Sequence, residues 1–368
     1  MKINILLPYK EKFDENKASS VSITVKNNLS HTKFLSHIKV YGKNVEKPLF
    51  KDNFEGIKYS IFSLKSKNAF LAYKMLKIMS KESSKKQLIE IHNRPYLVDQ
   101  IAKANNFPIT LFIHNDPQTM KGSKSVKDRK NILKKCAAVF CVSEYIKNKF
   151  LEGFLIKNEK VHILHNGVDR QLKKFPTKKK EILFVGRLVL EKGVDLYVDV
   201  VESIAKNFPD WTFELIGSFR LGDDKNKDAF ANNLINKFKK ISNQTKYHGF
   251  KNQDFIQEKM KTASIIVIPS VWEEPFGLVA AEAMSNGIGI IASDIGGIPE
   301  IVESNGILIK DINKQKLEHA LVDLIIDSTK RKKLQKMSWA NFKFSAKKSS
   351  EKLDMYREMI LSREFVDD

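Results

Sequence analysis

The chain has 368 residues, 42% of them hydrophobic, and a formal net charge of +21. That length exceeds one ordinary core and predicts two domains. No apolar run approaches the ~18 residues of a membrane span, and the run 3–7 is too short for a secretory signal, so it predicts a first strand instead.

Further apolar runs predict strands at 88–91, 110–113, 137–142 and 161–164, with helical stretches between them. Residues 1–168 hold 31 Lys/Arg against 14 Asp/Glu, whereas 169–340 hold 27 against 23 and 341–368 hold six of each. The basic first half implies an anionic partner: a membrane surface, an anionic glycan or nucleic acid. Residues 64–86 form a predicted helix with Leu64, Leu71, Met75, Ile78 and Met79 on one face. Lys67, Lys74, Lys77, Lys81 and Lys85 lie largely off it. Two readings fit this helix: it lies on an anionic membrane, or it packs its apolar stripe on a sheet. Strand 110–113 runs into His114-Asn115-Asp116-Pro117, which places a histidine at a strand end before a turn. A second basic cluster follows: Lys121, Lys124, Lys127, Arg129, Lys130, Lys134 and Lys135. Cys136 and Cys141 fit neither a zinc site nor a disulfide framework, so buried reduced thiols in a cytoplasmic protein are expected.

After a Lys/Pro-rich join at 173–180 the alternation restarts, with strands expected at 182–185, 212–216, 246–248, 265–268, 288–292 and 306–309. Alternation of this kind gives parallel sheets with helices on both faces, and the restart gives two of them in tandem. Ligands bind such sheets at the carboxyl ends of the strands. Strand 182–185 is followed by Gly186-Arg187-Leu188-Val189-Leu190-Glu191-Lys192-Gly193, where Arg187 and Lys192 can clamp two phosphates. Strand 212–216 ends at Gly217-Ser218. Strand 265–268 leads to Glu274-Pro275-Phe276-Gly277-Leu278-Val279-Ala280-Ala281-Glu282, two carboxylates eight residues apart. They would be ~12 Å apart if the segment were all helix. The plainer alternative is a surface helix whose acids cap its first turn. Strand 288–292 is followed by Asp294-Ile295-Gly296-Gly297-Ile298-Pro299-Glu300. Helices are expected at 317–326 and 339–360.

Gly186-Arg187 with Glu191-Lys192-Gly193, the segment Glu274 to Glu282, and Gly296-Gly297-Ile298-Pro299-Glu300 resemble the donor half of the family 4 retaining glycosyltransferases. Asn166-Gly167-Val168-Asp169 resembles the segment where those enzymes leave their first domain. The resemblance is strong over 161–310 and weaker over 1–160. It implies the α/β GT-B fold: two Rossmann-like domains facing across a cleft, 1–168 on the acceptor side and 169–340 for the nucleotide-sugar. Residues 341–368 would return to complete the first domain.

The resemblance also implies roles. Arg187 and Lys192 would hold the diphosphate, Glu274 would contact the sugar near the reacting centre, and Glu282 would accept from the ribose hydroxyls. Gly217 and the amides of Phe276, Gly277, Leu278 and Val279 would line the donor, and His114 would reach its sugar. Those enzymes carry a Gly pair after strand 1; here Lys17-Ala18-Ser19-Ser20-Val21 takes its place, leaving Ser19 and Ser20 as loop contacts. No metal and no cofactor beyond a nucleotide-sugar, weighted to UDP, is expected. The expected activity is hexosyl transfer to a lipid-borne acceptor, a diacylglycerol glycolipid or a lipopolysaccharide core. The enzyme would sit peripherally on the cytoplasmic face of an anionic membrane, with no obligate protein partner. The alternatives are a soluble acceptor of sugar metabolism and a nucleic-acid-binding GT-B protein. The second lacks interleaved aromatics and any helix-turn-helix, so no nucleic acid is expected.

Overall fold

The computed structural model describes residues 1–155, 158–219 and 229–363. The chain folds into two units, Met1–Gly167 with Phe344–Asp368, and Val168–Lys343. Each is a Rossmann-like α/β unit built on one sheet.

The first sheet has seven strands: β1 (Lys2–Leu6), β2 (Ile38–Lys43), β3 (Phe54–Ile57), β4 (Gln87–His92), β5 (Ile109–Ile113), β6 (Ala138–Cys141) and β7 (Val161–Ile163). They are parallel, in the order β3-β2-β1-β4-β5-β6-β7. The order reverses at β1, whose Ile5 lies beside Val40 of β2 and Glu90 of β4. Strands β4 and β5 are buried along their whole length, and β5 reads in the sequence as a largely apolar run, whereas β4 also buries Gln87, Glu90 and His92. Strands β2 and β3 are absent from the sequence-based expectation. Lys39, Gly42 and Lys43 break the apolar pattern of β2, and the four residues of β3 include Glu55 and Gly56 at the sheet edge.

Two helical expectations are corrected here. A continuous helix over 339–360 does not form. Trp339 ends the helix Ser328–Ala340 of the second unit, and a new helix, Ala346–Arg363, begins after Ser345. Ser345 starts that helix, its Oγ accepting from the Lys348 amide at 3.2 Å and its carbonyl from the Ser349 amide at 3.1 Å. Residues 364–368 of the expected returning segment lie outside the described residues. The second correction concerns 64–86. The helix is Lys67–Met79, and Leu71, Met75 and Met79 are buried in the unit's core. Its stripe therefore packs on the sheet and is not a membrane face. Leu64 lies in the loop before it.

The helix Ala346–Arg363 is locked to the first sheet by a buried charge cluster. Arg357, fully enclosed, sets Nε and Nη2 on the two carboxylate oxygens of Glu90 in β4, each at 2.8 Å. Its Nη1 reaches Asp354 at 3.0 Å and Thr32 at 3.2 Å. A two-pronged guanidinium–carboxylate pair of this kind tolerates burial because each partner's hydrogen-bonding capacity is used.

The second sheet has six parallel strands: β8 (Lys179–Val185), β9 (Thr212–Ile216), β10 (Thr245–Gly249), β11 (Ala263–Ile268), β12 (Gly289–Ser293) and β13 (Gly306–Ile309). Their order is β10-β9-β8-β11-β12-β13, and all six coincide with expected runs. One core cluster joins Ile182, Phe184, Phe213 and Leu215 of the sheet to Val194, Tyr197 and Val201 of the helix Val194–Ile204. Here the switch falls between β8 and β11, so the crevice opens beyond Val185 and Ile268. Among the described residues no helix is long and apolar enough to cross a membrane.

Candidate functional site

The carboxyl end of β8 turns sharply. Its loop passes through a short 3-10 turn, Leu190–Lys192, and enters the helix Val194–Ile204 at Gly193. Gly193 has φ +62°, and a Cβ there would stand 1.9 Å from the Pro269 carbonyl oxygen. The residue is therefore glycine for two reasons, a left-handed backbone and contact with the chain beyond β11. That packing carries Lys192 to the end of β11.

There Lys192 Nζ meets Glu274 Oε1 in an ion pair. The same oxygen accepts from Ser270 Oγ at 2.7 Å, and the ammonium lies 5.7 Å from the Trp272 ring centroid. Both charged side chains are mostly shielded, with 21% and 12% of their surfaces exposed. The indole Nε1 of Trp272 is buried with no hydrogen-bond partner. Neither Ser270 nor Trp272 was assigned a role from the sequence. The only signal for them was position, since both stand between a strand end and a motif glutamate.

The Glu274 backbone is held by the second glycine loop. The Gly297 amide donates to the Glu274 carbonyl at 2.7 Å, and Gly296, at φ +61°, leaves no room for a Cβ against Glu274. The Gly-Gly motif therefore acts on the glutamate. Gly277 then starts the helix Leu278–Ser285. Its carbonyl takes the Ala280 and Ala281 amides at 2.9 and 3.2 Å, so the Leu278 and Val279 amides precede the first helical bonds. The Phe276 ring is buried, leaving that residue only its backbone to offer. Since the helix begins only at Leu278, Glu274 stands in the loop and not on the helix with Glu282.

Glu282 is buried, and that burial pushes its pKa up to about 7 against a hydrogen bond from Gln253 Nε2 at 2.5 Å. Gln253 is a further residue the sequence did not flag. Arg187 stands apart from this cluster, half exposed and 3.5 Å from Glu191. Gly217 follows β9, its amide donating to the Gly249 carbonyl at 2.9 Å.

The sequence-predicted residues of the first unit form their own arrangement. His114, at the end of β5, donates its amide to Asn93 Oδ1 at 3.2 Å, and its Nε2 lies 2.9 Å from Nδ1 of His92, the last residue of β4. His92 in turn stacks on Phe112 at 4.3 Å. Burial lowers both histidines, His114 to about 4, so the pair is neutral at pH 7. Ser19 precedes the helix Ser20–Leu29 in ordinary extended backbone, and its hydroxyl bonds the Glu11 carboxylate. Burial raises the pKa of Glu11.

The second basic cluster is only partly a surface. Arg129 is buried, donating to the carbonyls of Ser123, Lys124 and Glu152 at 3.1, 2.9 and 2.6 Å, and Lys135 pairs with Asp99. Lys121, Lys124, Lys127, Lys130 and Lys134 remain exposed. Among the described residues no three His, Cys, Asp or Glu side chains are grouped to hold a metal ion.

Two known families match successive stretches of the chain. The model for glycosyl transferases group 1 matches residues 166–338, and that for glycosyltransferase family 4 matches residues 38–172. The chain has the GT-B fold and is similar, over those two stretches, to the group 1 and family 4 glycosyltransferases. It is 32% identical over 225 residues to an uncharacterized glycosyltransferase of Methanocaldococcus jannaschii, covering 58% of this chain and 59% of that one. The chain thus spans about three fifths of the length of that curated relative. Among solved structures, this GT-B chain matches HepE of Anabaena in complex with UDP and glucose, with a TM-score of 0.75 at 19% identity. That match covers 97% of this chain and 99% of HepE. It also matches sucrose-phosphate synthase of Thermosynechococcus elongatus, with a TM-score of 0.77 at 17% identity over 98% and 99% of the two chains. At such identities the two structures speak to the GT-B fold alone.

Proposed function

We propose that the chain is a retaining, metal-independent hexosyltransferase. It moves a sugar from a UDP-sugar to a hydroxyl of a membrane lipid-borne acceptor, a diacylglycerol glycolipid or a lipopolysaccharide core, on the cytoplasmic face of the membrane. The supporting observation is the Lys192–Glu274 pair, set beside the open amides of Leu278 and Val279 at the strand ends of the second sheet. An ammonium beside unpaired helix-start amides favours a diphosphate. The carboxylate and Ser270 can take up sugar hydroxyls, and Glu282 suits the ribose. UDP is preferred over other nucleotides because HepE, of like fold, binds it.

The chemistry follows from where charge develops. As the bond from the anomeric carbon to the diphosphate oxygen breaks, the sugar gains oxocarbenium character and the leaving oxygen gains negative charge. Lys192 and Arg187 act on that growing charge, which is where electrostatic stabilisation lowers the barrier most. The acceptor oxygen bonds the anomeric carbon on the face the diphosphate leaves, and its proton passes to a diphosphate oxygen, so configuration is retained. Two cations and the helix amides take the role a metal would otherwise fill. Glu274 holds the sugar and is not a nucleophile of the paired-carboxylate kind. His114 is assigned to the sugar on the family resemblance alone.

The lipid acceptor rests on the charge of the first unit, where the exposed lysines of 121–134 remain after Arg129 and Lys135 are removed from the count. A soluble acceptor is favoured by one observation, the burial of the stripe on Lys67–Met79. A nucleotide-release assay across UDP-, GDP- and ADP-sugars, with and without lipid extract, separates these readings. UDP release stimulated by lipid is expected. Stimulation by soluble sugars alone would move the assignment to a soluble acceptor, and no release from any donor would end it.

A further inference from the structure

Three large apolar side chains stand in water within four positions of the first unit: Ile61 is 84% exposed, Phe62 89% and Leu64 105%. They occupy the loop that leaves β3, at the carboxyl end of the sheet, where β5 also delivers His114. The loop is a fixed prong. The Ser63 amide donates to the Ser60 carbonyl at 3.1 Å, which makes Ile61 and Phe62 the corner residues of a tight turn. The Tyr59 hydroxyl donates to the carbonyls of Ser63 and Lys65 at 3.2 and 2.9 Å. The Tyr59 ring is itself held edge-on by Tyr9 at 6.0 Å and by the buried Phe70 at 5.2 Å. The turn is therefore tied to the core while its tip is left bare.

The surroundings select the partner. From residue 56 to residue 81 the sequence holds six lysines and no acidic residue. Lys58, Lys65 and Lys67 flank the turn and are exposed, with Lys67 Nζ 5.4 Å from the Tyr9 ring centroid. A second copy docking by the same face would set these lysines against themselves. An anionic bilayer removes both difficulties at once, since the acyl boundary accepts the apolar tip and the lipid phosphates meet the lysines.

We infer that the turn Ser60–Leu64 is a membrane-docking element, inserting Ile61, Phe62 and Leu64 into the interface of an anionic bilayer while Lys58, Lys65 and Lys67 bind headgroups. This rests on the membrane-acceptor reading and names its surface. The bulk of the burial comes from the prong, and the helix behind it supplies only support.

The test is co-sedimentation of the full chain with vesicles of phosphatidylcholine, alone or mixed with phosphatidylglycerol. The wild type is expected to pellet with the mixed vesicles. The variant Ile61→Ser/Phe62→Ser/Leu64→Ser should partition at least ~10-fold less, and Lys58→Gln, Lys65→Gln and Lys67→Gln about fivefold less for each lysine lost. UDP release from a UDP-sugar without lipid, which does not use the turn, should be unchanged in every variant. If that release is missing throughout, the transferase reading fails while the vesicle result still decides the turn. Should the triple variant lose its melting transition, the single Phe62→Ser, at a side chain in water, carries the same comparison. Wild-type-like pelleting of the variants overturns the inference, as does a wild type that stays in solution. A wild-type dimer dispersed by the triple variant would also overturn it, assigning the turn to self-association.

Discussion

In the second unit the strand ends of β8 and β11 bring a lysine against a glutamate. In the first unit the ends of β4 and β5 bring two neutral histidines together. Both sheets are parallel, both reverse order next to their first strand, and both direct polar groups to the same edge. They differ in how those groups were made tolerable. In the second unit opposite charges compensate one another, and glycines at 193 and 296 bring the backbone close enough for it. In the first, burial has removed the charge from His92 and His114. The second unit keeps its ions, which suits the diphosphate proposed for it, whereas the paired imidazoles of the first are uncharged.

The comparison can be broken most forcefully at Arg357. Arg357→Ala strands Glu90 in the core of the first unit, and a loss of ~3–5 kcal/mol in urea-unfolding free energy is expected. Lys192→Ala and Glu274→Ala should act chiefly on turnover, with kcat falling ~10²–10³-fold and a smaller loss of stability than Arg357→Ala, because this pair keeps some exposure. Normal turnover in either variant would remove the site assignment. Gly193→Ala forces a Cβ onto the Pro269 carbonyl and should cost about 1–3 kcal/mol, with turnover reduced because Lys192 is carried on the same loop.

The smallest effects are in pH dependence, and they have opposite signs in the two units. Glu282 has its folded pKa raised from 4.5 to about 7. Its stabilising contribution is complete below 4.5 and is lost as pH rises through 7. His114 is lowered from 6.5 to about 4, so its contribution is present above 6.5 and is lost as pH falls through 4. In thermal scans, the advantage of Glu282→Gln over wild type should grow from pH 5 to pH 8. Acidification from pH 6.5 to pH 4 should expose the amides of β4 and β5 first in hydrogen exchange. A Glu282→Gln advantage that is flat with pH would mean that the carboxylate is ionised at little cost.

The second unit was legible because β8, β9, β11 and β12 hold largely apolar, buried runs before glycine-marked loops, and most motif residues lie on those loops. The first unit was less so. Strand β3, at the sheet edge, carries Glu55 and Gly56, and β2 beside it is broken by Lys39, Gly42 and Lys43. The stripe of Leu71, Met75 and Met79 was visible, but periodicity alone does not say whether a sheet or a bilayer covers it. Ser270, Trp272, Gln253 and His92 belong to no motif. Each joins the chemistry through a tertiary contact that spacing does not encode. Arg129 looked like one more surface cation, and only the carbonyls around its guanidinium show it to be structural.

The Arg357–Glu90 pair has a consequence for the order in which the protein is made. The two partners are 267 residues apart in sequence. During synthesis, β4 and its carboxylate leave the ribosome long before the helix that neutralises them. The second unit, contiguous from Val168 to Lys343, can be complete while the first still lacks its last helix. The first sheet therefore waits, with an unmatched charge at its centre, for the last helix to be translated. A nascent chain stopped before Ala346 should hold a protease-resistant second half and a labile first half.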